Sequence, residues 1–415
     1  MRILIAGTTY FPAMNGQAVF TVNLAQGLAR SGHEVMVATH SEREYAYHEV
    51  RNGVHVEGIR SISLYRLHPD VYLPLFSGRD IRRIFDVFQP EVVHFQDHYP
   101  MNRALLQEAH RRGIKSIGTN HFMPENLAPY ASWLSHFKTF FDWALWHWVL
   151  GVFNNLDAAT APSRTASSLL RAKGLKSIAL PISNGIDLNR FRPNPAIDRA
   201  AICQRYALDP NKKIILFVGR VDHEKKVAVL INAMHKLTRD DVQLAIAGHG
   251  PAVGSLKALA ENLHLGAQVK FLGFIPGEEL PDLLNSVDVF AMPSEAELQS
   301  IATLEAMASG LPVLAARAVA LPELVSDQVN GILFRPGDAS DAARGIIVLL
   351  DNPELLYKMG LASLDKVQSH SLENTVHRYE ALYETVLSGT VSTVNYQRRL
   401  RSIKDQRSSV ANTHI

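Results

Sequence analysis

The sequence predicts an α/β protein made of two successive doubly wound, Rossmann-like domains, and three observations lead there. Short apolar runs of strand type alternate with helix-length segments twice over along the 415 residues, the pattern of βαβ units and parallel sheets. That length suits about two to three domains. An apolar fraction of 47% and a charged fraction of 20% are those of an ordinary globular protein with large cores.

In the first block, strands are expected at Arg2–Ala6, Glu34–Ala38, Val54–Ile59, Val92–Phe95, Ser116–Thr119 and Asp157–Ala161. Helical patterns intervene at Val19–Arg30, Met101–Arg112 and Ser163–Ala172. The segment Ser183–Lys212 carries Asn184-Gly185, Asn194-Pro195 and Asp209-Pro210, turn signals that read as a connection. The second block repeats the alternation, with strands at Lys213–Val218, Val242–Ala247, Val269–Leu272, Val287–Met292 and Leu311–Ala315. Its helices are expected at Val227–Leu237, Val253–His264 and Glu278–Asn285. The boundaries that follow are residues 1–183 and 184–370, a helix over 371–387, and a polar basic tail, 388–415, expected to be disordered.

Composition excludes several classes. Cys203 is the sole cysteine, so no internal disulfide and no thiolate metal cluster can form, and no metal is expected. Met1-Arg2 runs straight into a strand, which argues against a signal peptide. No apolar run reaches the roughly 18–20 residues that span a bilayer. A reducing, cytoplasmic setting is expected. Lys and Arg number 18 against 14 Asp and Glu over residues 1–180, 19 against 25 over 181–387, and 5 against 1 over 388–415. A basic first domain and tail suit an anionic partner such as the inner face of a membrane. A chance imbalance of exposed charges would look the same. No nucleic-acid partner is expected.

The most informative stretch is Pro293–Val313, PSEAELQSIATLEAMASGLPV. Val287–Met292 is a strand-type run that Pro293-Ser294 breaks, and Ile301–Ser309 is rich in helix formers. Gly310 supplies the stop before the next buried strand. Glu297 therefore sits in a loop at the carboxyl end of a strand, with Glu305 about two turns further on, in the following helix. Ligands of open α/β sheets bind outside those strand ends, beside helix N-termini whose free N–H groups suit phosphate. A second signal opens the same block: the strand Lys213–Val218 ends in Gly219-Arg220, with Lys225-Lys226 close behind. Gly lets a ligand approach the backbone. Arg220 and Lys225 can converge on one anion, as a planar fork and a point charge.

Gly219-Arg220 with Lys225, Gly248-His249-Gly250-Pro251, and Pro293-Ser294…Glu297…Glu305-Ala306-Met307-Ala308…Gly310…Pro312-Val313 together resemble the nucleotide-binding half of a family-four retaining glycosyltransferase of GT-B fold. Pro12-Ala13-Met14-Asn15-Gly16 is similar to that family's Gly-rich first loop, and Asn184-Gly185-Ile186-Asp187 to its interdomain connection. The likeness extends to about Leu387. It implies two Rossmann-like domains facing across a cleft, with the C-terminal helix returning to the first. It implies that Arg220 and Lys225 neutralise the diphosphate of a nucleotide sugar, so that no cofactor or metal is needed. UDP-hexose is the donor expected first, with GDP-mannose as the alternative. Glu305 would hold the ribose hydroxyls and Glu297 those of the donor sugar. Backbone N–H groups at Gln299, Ser300 and Ile301 would meet the diphosphate. Gly16 would let the first domain's backbone close over the phosphates, and the base would rest near Phe274 and Ile275. His121 occupies the place of the histidine that faces the reacting sugar, and Glu125 would touch the acceptor.

Departures from the family's pattern bear on specificity. Glu297-Leu298-Gln299-Ser300 stands where Glu-Gly-Phe-Gly is common, Lys226 where Gly is common, and Asn15-Gly16 where Gly-Gly is common. Asn tolerates left-handed backbone, which makes the last change mild. On the acceptor side, Trp133–Phe153 holds all four tryptophans. An aromatic helix there suits a lipid-contacting surface, while a buried helix or a dimer seam would explain it equally. Together with His121-Phe122-Met123-Pro124-Glu125-Asn126, which resembles the equivalent region of bacterial glycolipid synthases, it makes a lipid such as diacylglycerol the acceptor expected first. A soluble sugar or polysaccharide precursor is the alternative. A non-catalytic binding protein of the same fold is the reading of another class.

Overall fold

The structure is a computed structural model that describes residues 1–13, 15–43, 45–63, 72–123, 138–389 and 391–411. These form two compact units, one of residues 1–123, 138–185 and 372–411, the other Ile186–Ser371.

Among its described residues the first unit has ten strands: β1 (Arg2–Ala6), β2 (Glu34–His40), β3 (Tyr47–Arg51), β4 (Val54–Ile59), β5 (Ser61–Ser63), β6 (Tyr72–Pro74), β7 (Val92–Phe95), β8 (Lys115–Thr119), β9 (Ala158–Ala161) and β10 (Ile178–Pro181). Eight of them make one sheet in the order β10-β9-β8-β7-β1-β2-β4-β3, while β5 and β6 pair apart. All neighbours in the large sheet run parallel except the edge pair β3–β4. Helices cover both faces, so a central strand is buried throughout rather than alternately. Ile3, Leu4, Ile5 and Ala6 all have no exposed surface. The second unit holds β11 (Lys213–Val218), β12 (Val242–Ala247), β13 (Val269–Gly273), β14 (Val289–Met292), β15 (Val313–Ala316) and β16 (Gly331–Phe334). They form an all-parallel sheet in the order β13-β12-β11-β14-β15-β16. Both strand orders reverse beside the first strand of the unit, which places a topological switch point at the carboxyl ends of β1 and β11.

The helix Leu372–Leu387 belongs to the first unit, where a buried polar lock holds it. The Tyr379 hydroxyl is 2.9 Å from Thr119 Oγ1 and 3.2 Å from Thr160 Oγ1. The Tyr383 hydroxyl is 2.9 Å from His94 Nδ1, and His94 Nε2 is 2.7 Å from Thr119 Oγ1. Burial, with a smaller effect from His121, lowers the His94 pKa to about 3, so the ring is neutral. Close packing does the rest: a Cβ on Gly27 of the first helix (Gly16–Arg30) would lie 2.5 Å from Val376 Cγ2.

Two expectations need correction. The connection Ser183–Lys212 contains a helix, Arg199–Arg205, whose first turn is capped by Asp198 Oδ1 accepting from Ala201 N at 3.1 Å. Its Ile202 and Cys203 sit in the second unit's core. Asn194-Pro195 and Asp209-Pro210 flank that helix within the connection. The tail is not disordered from residue 388 onward: Thr393–Ala411 is helical. Tyr396 plugs into the first unit's core and its hydroxyl accepts from Arg378 Nε at 3.3 Å. A polar composition is compatible with a helix when one aromatic anchors it. Tyr396→Ala is therefore expected to lower unfolding stability in guanidinium by roughly 3 kcal/mol, the range for truncating a buried large side chain; a change within about 0.5 kcal/mol, the surface range, would show that the helix is not docked there.

Candidate functional site

In the second unit, the site residues gather at the carboxyl ends of β11, β12 and β14. The loops leaving β11 and β12 touch backbone to backbone. A Cβ on Gly248 would lie 1.8 Å from the Gly219 carbonyl oxygen, and one on Gly250 2.1 Å from that of Val221. Val221 N donates to His249 O at 2.8 Å, and Ala252 N to Val221 O at 3.1 Å. Only glycine permits this contact, which explains the Gly-His-Gly-Pro run. Asp222, fully buried at its side chain, caps the short turn His223–Lys225 by accepting from Lys225 N at 3.3 Å. Lys226 follows in left-handed geometry with φ +54°. Glycine is the natural residue for that geometry, and a lysine there costs on the order of 1 kcal/mol.

Arg220 lies half-exposed, with Nε 2.7 Å from Asp222 Oδ2 and Nη2 3.3 Å from Glu224 Oε1. Lys225, only 17% exposed at its side chain, places Nζ 2.6 Å from Glu297 Oε1 and 3.5 Å from Glu224 Oε1. Burial works against its charge, but Glu297 and Glu224 outweigh that and hold the ammonium pKa above the usual lysine range. Burial raises the Glu224 carboxyl, with Lys225 opposing. Lys225 and Glu297, 72 positions apart, thus form one mostly buried ion pair. Asp222 and Glu224 are the members that the sequence left unassigned, although both lie inside the run that flagged Arg220 and Lys225.

Glu297 stands in the loop after β14, and the helix Ile301–Ala308 begins four residues on. Ser300 caps that helix: its Oγ accepts from Thr303 N at 3.2 Å and from Thr303 Oγ1 at 2.9 Å. Gln299 and Ser300 are both buried. Glu305 is partly exposed in this helix, yet burial of its carboxyl pushes the pKa up to about 7, with Arg190 pulling the other way. Arg190, in the connection, was not among the expected site residues. Ile275 is buried after β13, while Phe274 is exposed and stacks on His249 with ring centroids 6.5 Å apart. Phe274 N donates to His249 Nε2 at 3.1 Å. The structure therefore brings Gly219, Arg220, Lys225, Glu297, Gln299, Ser300, Ile301, Glu305 and Ile275 to one end of one sheet.

In the first unit, Gly16 begins the first helix and is exposed. Asn15 is extended (φ −77°), and its Oδ1 caps the helix by accepting from Ala18 N at 3.0 Å. It is tolerated as a helix cap, not for the left-handed backbone expected of it. His121 lies just past β8 with Nε2 2.9 Å from Gln96 Oε1 and its ring 4.9 Å from that of Phe20. Burial lowers its pKa to about 3, so the imidazole is neutral. Glu125 lies outside the described residues, as do Trp133–Phe137 of the aromatic segment. The rest of that segment is the helix Lys138–Phe153. Trp146, Val149, Leu150 and Phe153 are buried, while Phe140 and Trp143 are 65% and 60% exposed. Phe140 stacks on Trp143 at 5.9 Å and Trp143 on His147 at 5.2 Å. The helix has both a core face and an aromatic outer face. No helix among the described residues is long and apolar enough to cross a membrane.

Comparison with known proteins agrees with this geometry. Residues 14–190 match the profile of Glycosyltransferase Family 4, and residues 198–363 that of Glycosyl transferases group 1. The chain is 25% identical over 394 residues to the alpha-monoglucosyldiacylglycerol synthase of Streptococcus pneumoniae, covering 91% of this chain and 85% of that one. It is 27% identical over 349 residues to a GDP-mannose-dependent alpha-mannosyltransferase of Corynebacterium glutamicum, covering 80% of this chain and 76% of the other. Its fold is shared with the solved sucrose-phosphate synthase of Thermosynechococcus elongatus, with TM-score 0.78 and 20% identity over 94% of this chain and all of that one. With both sheets, their switch points and both profiles in agreement, the chain belongs to the family-four, group 1 glycosyltransferases of GT-B fold.

Proposed function

We infer that the enzyme moves a hexose from a nucleotide diphosphate sugar to a hydroxyl of a membrane lipid such as diacylglycerol, with retention of anomeric configuration. The observation that carries the donor half is the Lys225–Glu297 ion pair beside Arg220, at a sheet end that also holds Glu305. A diphosphate arriving there competes for Lys225. The ammonium exchanges a carboxylate oxygen for a phosphate oxygen, and Glu297 is freed to accept from hydroxyls of the hexose. Arg220, half-exposed, supplies a second cation. Fixed positive charge aimed at the departing diphosphate stabilises the transition state where charge develops. Backbone N–H groups at Gln299, Ser300 and Ile301 suit the same anion. Glu305 accepts from the ribose hydroxyls, and Ile275 flanks the base. Gly16 leaves the start of the first helix open to phosphate. No carboxylate is assigned as nucleophile; the departing phosphate oxygen takes the acceptor's proton. The neutral His121 serves as a hydrogen-bonding group for the reacting sugar, not as an acid.

UDP-hexose is the proposed donor. GDP-mannose is the second choice, supported by what the Corynebacterium glutamicum relative uses. The lipid acceptor draws support from the Streptococcus pneumoniae relative and from the outer face of Phe140, Trp143 and His147. Exposed tryptophan and phenylalanine on a helix favour the membrane interface. Glu125 is assigned to the acceptor side. The enzyme would work at the cytoplasmic face of the membrane as a peripheral protein.

Two outcomes are expected. UDP-glucose, whose phosphates stay fully ionised, should bind more tightly as pH rises through about 7 and Glu305 loses its proton; Glu305→Gln should abolish that dependence, and wild-type isotherms flat from pH 5.5 to 8.5 would remove its assigned role. The protein should sediment with anionic liposomes and release UDP from UDP-glucose only when diacylglycerol is supplied. Trp143→Ala should weaken the sedimentation. Full turnover on a soluble sugar without liposome binding would replace the lipid by a soluble acceptor.

A further inference from the structure

Gln96 stands one residue beyond β7, and 1% of its surface is exposed. Its backbone N donates to Ala6 O at 2.8 Å, fixing it to the end of β1. Space for its side chain comes from Gly7, where a Cβ would lie 3.0 Å from Gln96 Cβ. The next residue, Asp97, fastens the surrounding loops. Its Oδ2 accepts from Thr8 N at 2.6 Å, Thr8 Oγ1 at 2.9 Å and Gln17 Nε2 at 3.1 Å. Its Oδ1 accepts from Asn102 Nδ2 at 2.7 Å and Tyr99 N at 3.2 Å. Gln96 is therefore held rigidly, beside the first turn of the helix that Gly16 opens.

Its carboxamide is used on one side only. Oε1 is 2.9 Å from His121 Nε2, while the amide nitrogen is buried with no hydrogen-bond partner among the described residues. Leaving a buried donor unmade costs about 1–3 kcal/mol, so such a group needs an explanation. An amide oxygen accepting from Nε2–H fixes the ring tautomer and leaves Nδ1 as an acceptor. The pair thus offers one acceptor and one donor. That complements sugar hydroxyls, which both give and take hydrogen bonds; phosphate oxygens only accept.

We propose that Gln96 is a further substrate-contacting residue, which sets the tautomer of His121 and donates its free amide N–H to a hydroxyl of the sugar that His121 meets. This rests on the transferase reading above. Among the described residues, the titratable groups around the His121 ring are few. His94 of β7 is buried and neutral, Asp97 is taken up by its own partners, and Phe20 contributes only an apolar face.

The test compares the full-length wild type with Gln96→Glu and Gln96→Leu, using nitrogen-15 histidine spectra assigned through His121→Asn. In parallel, turnover of UDP-glucose with diacylglycerol in detergent is followed against pH. Wild-type His121 should show a single neutral tautomer with hydrogen on Nε2 from pH 5.5 to 8.5. The carboxylate in Gln96→Glu should raise its midpoint by about 1–3 pH units and add an ionisation to the pH–rate profile. Gln96→Leu should mix the tautomers and lower kcat at least about tenfold, as for one lost hydrogen bond in the transition state. Gln96→Glu keeps the shape and hydrogen bond of the side chain, so it decides the matter if the leucine variant misfolds. An unchanged ring and an unchanged profile in both variants overturn the proposal, as does wild-type kcat in Gln96→Leu whatever the ring does. A wild-type chain that releases no UDP speaks against the transferase reading alone, and the ring spectra then still decide on Gln96.

Discussion

A lysine ammonium withdrawn from water has to be paired, and at the end of the second sheet Lys225 is paired by Glu297 at 2.6 Å. Everything else in that region serves to make the pair possible. Asp222 ties the turn that presents Lys225, and Gly219, Gly248 and Gly250 let two loops lie close enough to hold that turn. Buried ion pairs of this kind contribute little net stability, because desolvation of both charges offsets their attraction. Their use here is positional. The cation is kept charged and in place, as the proposed exchange with a diphosphate requires.

Carboxylates outnumber cations around this site. Asp222, Glu224 and Glu297 surround Arg220 and Lys225, while Glu305, in the next helix, feels Arg190; Glu224 and Glu305 have pKa values raised by burial. Such a cluster suits a ligand with both anionic and hydroxyl-bearing parts, since it offers cations for one and acceptors for the other. A simple anion-binding loop would not need the acids. The first unit, taken by itself, holds different chemistry: His121 is neutral and Gln96 is bound to it.

Much of this was legible in the sequence, for physical reasons. Central strands such as Ile3–Ala6 and Ile214–Phe217 are buried on both faces, so they read as continuous apolar runs. The two edge strands of the first sheet were missed because they lack that signature. Tyr47–Arg51 is polar and half-exposed, and Ile178–Pro181 ends in a proline that only an edge tolerates. The short helix Arg199–Arg205 was hidden among Asn and Pro signals, and the helix Thr393–Ala411 by its polar composition. Arg220, Lys225, Glu297 and Glu305 stood out because glycines and strand ends frame them. Glu224 and Gln96 did not. Their importance comes from neighbours brought close by the fold, such as His121, 25 residues away from Gln96. Lys226 shows the reverse case: it was visible as an oddity where glycine is usual, and its left-handed backbone supplies the reason.

The most direct test of the account is the turnover of Lys225→Ala with UDP-glucose as donor. Losing the cation that faces the leaving diphosphate should lower kcat by on the order of 10²-fold or more, as for one lost oxyanion-type donor, with the fold intact by circular dichroism. Turnover near that of the wild type would mean that the Lys225–Glu297 pair is merely structural, and the donor site would have to be sought elsewhere.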